Sequence, residues 1–524
     1  MLKKSKKLLE NKNVLIGLFI ILYLVIYYDA YTCNFISPDE GYQLSLNNWS
    51  FSKIIYYCSV DYHVPLFAFL VKLFSYLPFR DIMSARILLS LILIAHFFVA
   101  FYPLERLTNR KVSLIYSILF LFSPILFYFS LNIRMFSLAN LNLFLVMIYA
   151  LLAFRDDKKS DWIKLFLVSV FSCYSFLLAT FITFFILFVM IIYSFLNKEK
   201  KLMKKFIICF MLVFLCFIPW IPFLLEQIVN VTSDRYWQYF PYSFMKFFMD
   251  ITNIYILGFS NGYCINGYVW ASFMVLLIFI ALSIIFNFCN KNLNKKDNIL
   301  FILFLVFISS FLFILLYSYV NKTFAARYFT ILYSILLLSF IYYFVKNPNF
   351  FNISVFIVFI IMFIFNYTGV INSGNLTGNN DLEKMKMYLE KHSEIDEDNV
   401  FILHSFESSL EVLGSSYLND KVNLIFYNNS FLYDDNCGED QKNILNNYEI
   451  FGNNVYTLSD IEDIYNYTDH FYMIFTKELL SKAGSDVCIL NNLGWDYKFI
   501  DSYVYGYNRV NYNLYEVNIS RNEE

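Results

Sequence analysis

The stretch KNVLIGLFIILYLVIYYDAYTCNFISPDEGYQL, residues 12–44, opens with a long apolar run and ends just after two adjacent carboxylates, Asp39 and Glu40. The run is close to the ~20 apolar residues that cross a bilayer as a helix. A lysine-rich N-terminus precedes it, and no small-residue cleavage site follows it. We therefore expect a retained first membrane helix with a cytoplasmic N-terminus, and the carboxylate pair beyond its outer end.

Similar apolar runs recur up to Val370, and the chain is 59% hydrophobic but only 15% charged. Soluble domains carry ~25% charged residues, so the sequence predicts a polytopic α-helical membrane protein. The predicted membrane helices, about eleven, cover residues 14–31, 82–104, 112–129, 135–153, 163–179, 181–197, 206–226, 269–289, 299–319, 329–345 and 351–370. Basic loops alternate along this series, which indicates one cytoplasmic face and places the remaining loops outside.

The predicted boundary lies between a membrane domain, residues 1–370, and a more polar domain, residues 371–524. An odd number of helices puts the second domain outside the cytoplasm. Its short apolar runs alternate with helix-like segments, which indicates an α/β domain with antiparallel additions at its end. The expected strands are 400–403, 422–427, 471–475, 497–503 and 512–517, and the expected helices are Leu382–Lys391 and Ser459–Ile464.

The first outer loop, residues 32–81, holds an unusual number of polar side chains, with Asp61 and His63 following the carboxylate pair. Ser37 and Pro38 predict the start of a helix, and neighbours in a helix point to different faces, so Asp39 and Glu40 should have different roles. Carboxylates in a first turn also simply complement the helix dipole, and spacing alone leaves this reading open. Further along, Leu66–Leu77 predicts an interfacial helix with Lys72 on its polar side.

Three arginines, Arg86, Arg134 and Arg327, fall at the outer ends of predicted helices. Positive charge is usually enriched on the cytoplasmic side, so arginines on the outer side are unexpected. Each alone suits a lipid-phosphate anchor, but three beside a carboxylate-rich loop favour a site that binds a phosphate. Trp237 lies in the aromatic outer stretch SDRYWQYFPYS, which suits either a carbohydrate platform or an interfacial belt.

Six short motifs resemble those of the membrane glycosyltransferases of the GT-C fold, in the protein O-mannosyltransferase and aminoarabinose transferase group (glycosyltransferase family 39-like). They occur in the same order along the chain. The resemblance spans the membrane part. It departs at Val64, where the group has proline, and at Thr330, the fourth residue of an RYLLP-like motif. The matching elements are Asp39-Glu40, His63-Val-Pro-Leu66, Arg86, Ser123-Pro124 with Arg134-Met-Phe-Ser-Leu138, Pro219-Trp-Ile-Pro222 and Arg327-Tyr-Phe-Thr330.

The resemblance implies transfer of a sugar, with inversion, from a polyprenyl-phosphate donor to an acceptor on the extracytoplasmic face. Asp39 would be the general base and Glu40 would brace the loop or bind sugar. The donor phosphate would be held by Arg134, Arg327 and Arg86, and the sugar or acceptor pocket would include Asp61, His63, Tyr328 and Trp237.

The expected partners are the lipid-linked donor, membrane lipids and a protein, lipid or cell-wall glycan acceptor, with no nucleic acid. No cofactor is expected to be required, although a divalent cation is compatible with the chemistry. No metal-ligand spacing occurs among the nine cysteines or the five histidines.

Two other classes of protein stay open at this point. A lipid or glycolipid transporter should bury charged groups at mid-membrane, where His96 is the main polar exception in this chain. A non-catalytic assembly protein would tolerate neutralisation of Asp39. The sugar and the acceptor are left open.

Overall fold

A computed structural model describes residues 11–28, 38–60, 63–233, 299–320 and 325–346, six single positions between 348 and 360, and the strands of the C-terminal part between 400 and 518. Within these ranges the membrane part is built from helices. They are α1 (Lys12–Ile26), α2 (Pro38–Ser45), α3 (Phe51–Val60), α4 (Leu66–Ser75), α5 (Asp81–Val99), α6 (Arg110–Leu121), α7 (Pro124–Leu131), α8 (Phe136–Asp156), α9 (Lys159–Ser175), α10 (Leu177–Leu196), α11 (Lys200–Phe217), α12 (Ile221–Ser233), α13 (Ile299–Val320) and α14 (Tyr333–Lys346).

Five helical stretches among these residues are long and apolar enough to cross a membrane, or six if a bent pair counts as one span. They confirm the predicted class, a multi-pass helical membrane protein. The five are Asp81–Leu107, Phe136–Asp156, Leu177–Leu196, Lys200–Gln227 and Ala326–Lys346. The predicted helix 269–289 and the domain boundary at 370 lie outside the described residues, as does most of 351–370.

Helix α8 is the centre of the membrane part, and nearly all of its side chains are buried. It packs against α5, α9, α10 and α14. Lipid tails are as apolar as leucine, so packing rather than hydrophobic transfer holds such helices together. The small residues Ala139, Ala150 and Ala153 of α8 have no exposed surface, which allows close approach of its neighbours.

The predicted helix 112–129 is wrong as a single helix. The chain bends by 65° between Arg110–Leu121 and Ile125–Leu131. Pro124 starts α7 and cannot donate a backbone hydrogen bond to the preceding turn, while Ser123 before it adopts an extended conformation. The predicted break in the run 163–197 is confirmed, since Phe176 between α9 and α10 is extended (φ −162°, ψ 139°).

Lys72 of α4 does not lie on a solvated face, so that prediction is wrong. Its side chain is buried, and its Nζ donates to the carbonyl oxygen of Asn47 at 2.7 Å. Asn47 in turn donates from Nδ2 to Asp81 at the start of α5, at 3.2 Å. The contacts of Lys72 and Asn47 thus connect α4, the turn that follows α2 and the start of α5.

The helical stretch that begins with α5 continues to Leu107, and near its end Arg106 links two carboxylates. Its Nη2 lies 2.6 Å from Asp156 and 2.5 Å from Asp161, whose side chain has no exposed surface. Asp156 ends α8 and Asp161 lies in the first turn of α9. This charged clamp fixes α8 and α9 to the end of the stretch Asp81–Leu107 that lies away from Asp81.

The C-terminal part forms a seven-stranded mixed sheet in the order β3-β4-β2-β1-β5-β7-β6. Its strands are β1 (Val400–Leu403), β2 (Asn423–Tyr427), β3 (Glu449–Ile450), β4 (Asn453–Leu458), β5 (His470–Thr476), β6 (Asp496–Tyr505) and β7 (Val510–Asn518).

The four inner strands β4, β2, β1 and β5 run parallel, and β7 and β6 add antiparallel. The five predicted strands and the antiparallel additions are therefore confirmed. The hairpin β3–β4 was not predicted from the sequence, and both predicted helices of this domain lie outside the described residues.

Candidate active site

Helix α2 presents the two adjacent carboxylates in its first turn, as Pro38 predicts. Successive residues of a helix point ~100° apart, so the two side chains diverge. Asp39 keeps 31% of its side chain exposed, whereas Glu40 is almost fully buried. Each carboxylate therefore meets a different part of the protein.

Asp39 forms an ion pair with Arg327, which lies in the 3₁₀ segment Ala326–Leu332 before α14. Arg327 Nη1 is 2.9 Å from Asp39 Oδ2, and the arginine side chain is 36% exposed. The pair is reachable from solvent, so a ligand can compete for either partner.

Arg134 approaches the same turn from the junction between α7 and α8. Its Nη1 donates to the backbone carbonyl oxygen of Asp39 at 2.9 Å, and its Nη2 lies 2.7 Å from His63 Nε2. A guanidinium has only donors, so Nε2 of His63 accepts this hydrogen bond and carries no proton. The structure thus brings together Asp39, His63, Arg134 and Arg327, which the sequence placed in one site.

Glu40 fastens α2 to the α7–α8 junction. Its Oε1 accepts a hydrogen bond from the backbone N–H of Ile133 at 2.6 Å. This buried hydrogen bond makes Glu40 a brace between α2 and the α7–α8 junction. It also holds Arg134, the next residue, beside Asp39.

The electrostatics of Asp39 are dominated by its cationic neighbours. Burial raises the pKa of its carboxyl, whereas the positive charge of its neighbours, chiefly Arg134 and Arg327, lowers the pKa by more, to about 2. The carboxyl is therefore ionised at neutral pH.

Three buried polar groups around Asp39 have no hydrogen-bond partner within the described part of the chain. They are the Nε–H groups of Arg134 and Arg327 and the hydroxyl of Tyr128. Tyr128 lies in α7, close enough to interact electrostatically with Asp39, Glu40 and both arginines. Buried donors are nearly always satisfied in folded proteins, so these groups are suited to an anionic or hydroxyl-bearing ligand.

The sequence indicated no role for Tyr128 or Gln227. Gln227 of α12 is buried, and its Nε2 lies 3.1 Å from the carbonyl oxygen of Cys58 and 3.3 Å from that of His63. It holds the two ends of the segment that contains Asp61. The sequence feature that could have revealed Gln227 is an amide side chain at the end of an apolar helix, just after two prolines.

A small cavity of about 10 Å³, room for no more than one water molecule, lies beside His63. It lies next to the site and offers mainly aromatic and apolar walls, with an amide and the imidazole as polar groups. Its lining includes Tyr42, Gln43, His63, Val64, Met135 and Phe176.

The other predicted site residues are distributed as follows. Tyr328 follows Arg327 in the 3₁₀ segment and is half-buried, with its ring 6.1 Å from that of Phe176. Arg86 is completely buried in α5, and the contacts described above are made without it. Asp61 and Trp237 lie outside the described residues.

No cluster of three or more metal-ligating side chains occurs in the described ranges. Of the carboxylates in the site, Asp39 faces two guanidinium groups and Glu40 is bonded to a backbone N–H. The absence of a required cofactor stays a prediction, as does the tolerance of a divalent cation.

No family model matches the chain, and no curated protein matches it. Among solved structures, it is similar to ArnT from Cupriavidus metallidurans bound to undecaprenyl phosphate, with 9% identity, a TM-score of 0.46 and coverage of 95% of this chain and 97% of the other. The apo state of the same ArnT gives 11% identity, a TM-score of 0.46 and the same coverage.

Proposed function

We propose that this protein is a membrane glycosyltransferase that uses a polyprenyl-phosphate sugar as donor and acts at the extracytoplasmic face. The observation that carries the proposal is the arrangement around Asp39. One ionised carboxylate faces two arginines, each with a buried N–H group that has no partner in the described part of the chain. A base beside a phosphate clamp is what transfer from a lipid phosphate requires.

In the proposed reaction, the acceptor hydroxyl attacks C1 of the sugar and gives its proton to Asp39. The bond between C1 and the phosphate oxygen breaks, and its electron pair leaves with the polyprenyl phosphate. Arg134 and Arg327 stabilise the charge that develops on this leaving group. Attack opposite to the leaving group inverts the configuration at C1.

Because Asp39 is paired with Arg327, binding of the donor would also change the pKa of the Asp39 carboxyl. A carboxylate with a pKa of about 2 is a weak base in the unliganded site. A phosphate bound to Arg327 would take that charge away from Asp39 and raise the pKa of its carboxyl. The donor would then prepare the base for the acceptor.

The alternative classes are a lipid transporter and a non-catalytic assembly protein. His96, the polar exception at mid-membrane, is fully buried, stacked on Phe120 with its Nδ1 3.2 Å from the Tyr116 hydroxyl. This packing favours a structural role for His96 over a transport path. The placement of the C-terminal domain outside the cytoplasm belongs to the same proposal.

The test is sugar transfer by the purified protein from a panel of polyprenyl-phosphate sugars, beside an Asp39→Asn variant. We expect transfer or donor hydrolysis by the wild type with one or a few donors, and a loss of about 100-fold or more in the variant. Thermal unfolding checks that the variant is folded. Equal rates would remove Asp39 from the mechanism, and lipid binding without transfer by the wild type would favour a carrier or binding protein.

A further inference from the structure

The segment that carries Arg327 is an unusually long 3₁₀ helix. It runs for seven residues, Ala326–Leu332, before the chain continues as α14. Hydrogen bonds in a 3₁₀ helix have poorer geometry than in an α-helix, and runs beyond three or four residues are uncommon. Such a segment needs support from outside itself.

Asn140 of α8 provides this support. Its Nδ2 lies 3.1 Å from the carbonyl oxygens of both Thr330 and Ile331, and its Oδ1 accepts a hydrogen bond from the Ser334 hydroxyl at 2.6 Å. Asn140 has no exposed surface. An amide inside a membrane helix is costly unless its donors and acceptor are satisfied, and here both ends of the amide are used.

The support reaches Arg327 through Thr330. The Thr330 hydroxyl donates to the carbonyl oxygen of Arg327 at 2.6 Å. The guanidinium of Arg327 then meets Asp39 at 2.9 Å. Hydrogen bonds from Asn140 to Thr330 and from Thr330 to Arg327 therefore connect the central helix α8 to the arginine of the charged pair.

We propose that Asn140 is a positioning residue, which fixes the 3₁₀ segment so that Arg327 faces Asp39 and the phosphate of a lipid-linked donor. The inference rests on the proposed function, because it assigns Arg327 to the donor phosphate. Asn140 itself touches no reacting atom. Its effect should appear in donor binding and in the titration of Asp39.

The test replaces the amide by an apolar group of similar size, Asn140→Leu. With Arg327 displaced, the KM for the donor and the Kd for sugar-free undecaprenyl phosphate should each rise about tenfold. Asp39 is faced by Arg134, Arg327, His63 and Tyr128. Because the variant moves Arg327 away, the acid limb of the pH profile for transfer should move to higher pH.

Asn142→Leu is the matched control. Asn142 is also buried in α8, two residues further on and on another face, and its Nδ2 has no hydrogen-bond partner among the described residues. The same change in polarity and shape at Asn142 should leave the donor KM within about twofold of the wild-type value. The acid limb of the pH profile should stay where it is in the wild type.

Thr330→Val tests the same connection closer to Arg327 and keeps the shape of the side chain. The donor KM should rise about threefold, a smaller change in the same direction as that of Asn140→Leu. If both Asn140→Leu and Thr330→Val keep the wild-type donor KM, Kd and acid limb, the positioning role is overturned while the transferase stands. A wild type that neither transfers sugar nor binds undecaprenyl phosphate would overturn the proposed function, and the inference with it.

Discussion

At the scale of the residue, the main feature of the site is that its base and its phosphate clamp are paired with each other. Asp39 Oδ2 and Arg327 Nη1 are 2.9 Å apart. The lowered pKa of Asp39, about 2, means that the stability from this pairing is present above the unfolded value of 3.8 and is lost as the pH falls toward 2. The unliganded site should thus stay charged at any pH near neutrality.

This pairing predicts that Asp39→Asn binds sugar-free undecaprenyl phosphate more tightly than the wild type does. Removing the carboxylate frees Arg327 and takes away a negative charge beside the phosphate. The pair is about one-third exposed, so we expect a gain of only about three- to tenfold, measured by fluorescence titration in detergent at fixed salt.

Glu226→Gln is the charge-matched control for this experiment. Glu226 is exposed on α12 beside Gln227, and its neutralisation should change the affinity by less than about twofold. Equal or weaker binding by Asp39→Asn would show that the carboxylate does not compete with the ligand for Arg327.

At the scale of the element, α2 is held against the α7–α8 junction from two directions. Glu40 accepts from the N–H of Ile133, and Arg134 donates to the carbonyl oxygen of Asp39. The short helix has no long apolar face of its own, so these bonds decide where Asp39 points. The brace makes the second carboxylate structural and leaves the first one for chemistry.

The brace predicts different outcomes for two substitutions of Glu40. Glu40→Ala leaves the Ile133 N–H without its partner and should lower the free energy of unfolding by about 1–3 kcal/mol, with a strong loss of transfer. Glu40→Gln keeps an oxygen acceptor and should retain most of the stability and activity. Thermal unfolding and initial rates measure both, and a Gln variant as inactive as Ala would indicate that the charge acts on the substrate.

At the scale of the whole molecule, the two ends of the helical stretch Asp81–Leu107 have separate roles. Near Asp81, the contacts of Asn47 and Lys72 hold the first loop and its site. At the other end, Arg106 joins Asp156 and Asp161. A stretch of 27 residues, Asp81–Leu107, separates them, which corresponds to ~40 Å along a helix.

This separation predicts that Arg106→Met destabilises the protein without changing the donor KM. The variant leaves the buried Asp161 without its partner, and since Arg106 is 33% exposed, we expect a loss of about 2–3 kcal/mol rather than the ~3–5 kcal/mol of a fully buried pair. Thermal unfolding in detergent measures the first effect and steady-state kinetics the second. A change in donor KM with unchanged stability would contradict the separation.

Among the residues that the structure describes, the sequence correctly indicated most of the helices and strands that have a strong local pattern. The apolar runs that became α8 and α10, and the β-branched and aromatic runs of β1 and β5, are examples. It failed where a distant contact decided the outcome. Lys72 was expected on a polar face because its partner, the Asn47 carbonyl, is invisible to periodicity. The bend at Pro124 was missed for a different reason, since its cause is local but lies inside an apolar run that hid it.

The sequence by itself determined the membrane class and the candidate residues Asp39, His63, Arg134 and Arg327, because transfer into a bilayer depends on local composition and misplaced charges are conspicuous in an apolar chain. Only the tertiary structure decided that Asp39 pairs with Arg327 and that Glu40 braces Ile133. It also decided that Asn140 supports the 3₁₀ segment. These contacts join residues far apart in the chain, and they depend on how the helices pack, which no local pattern encodes.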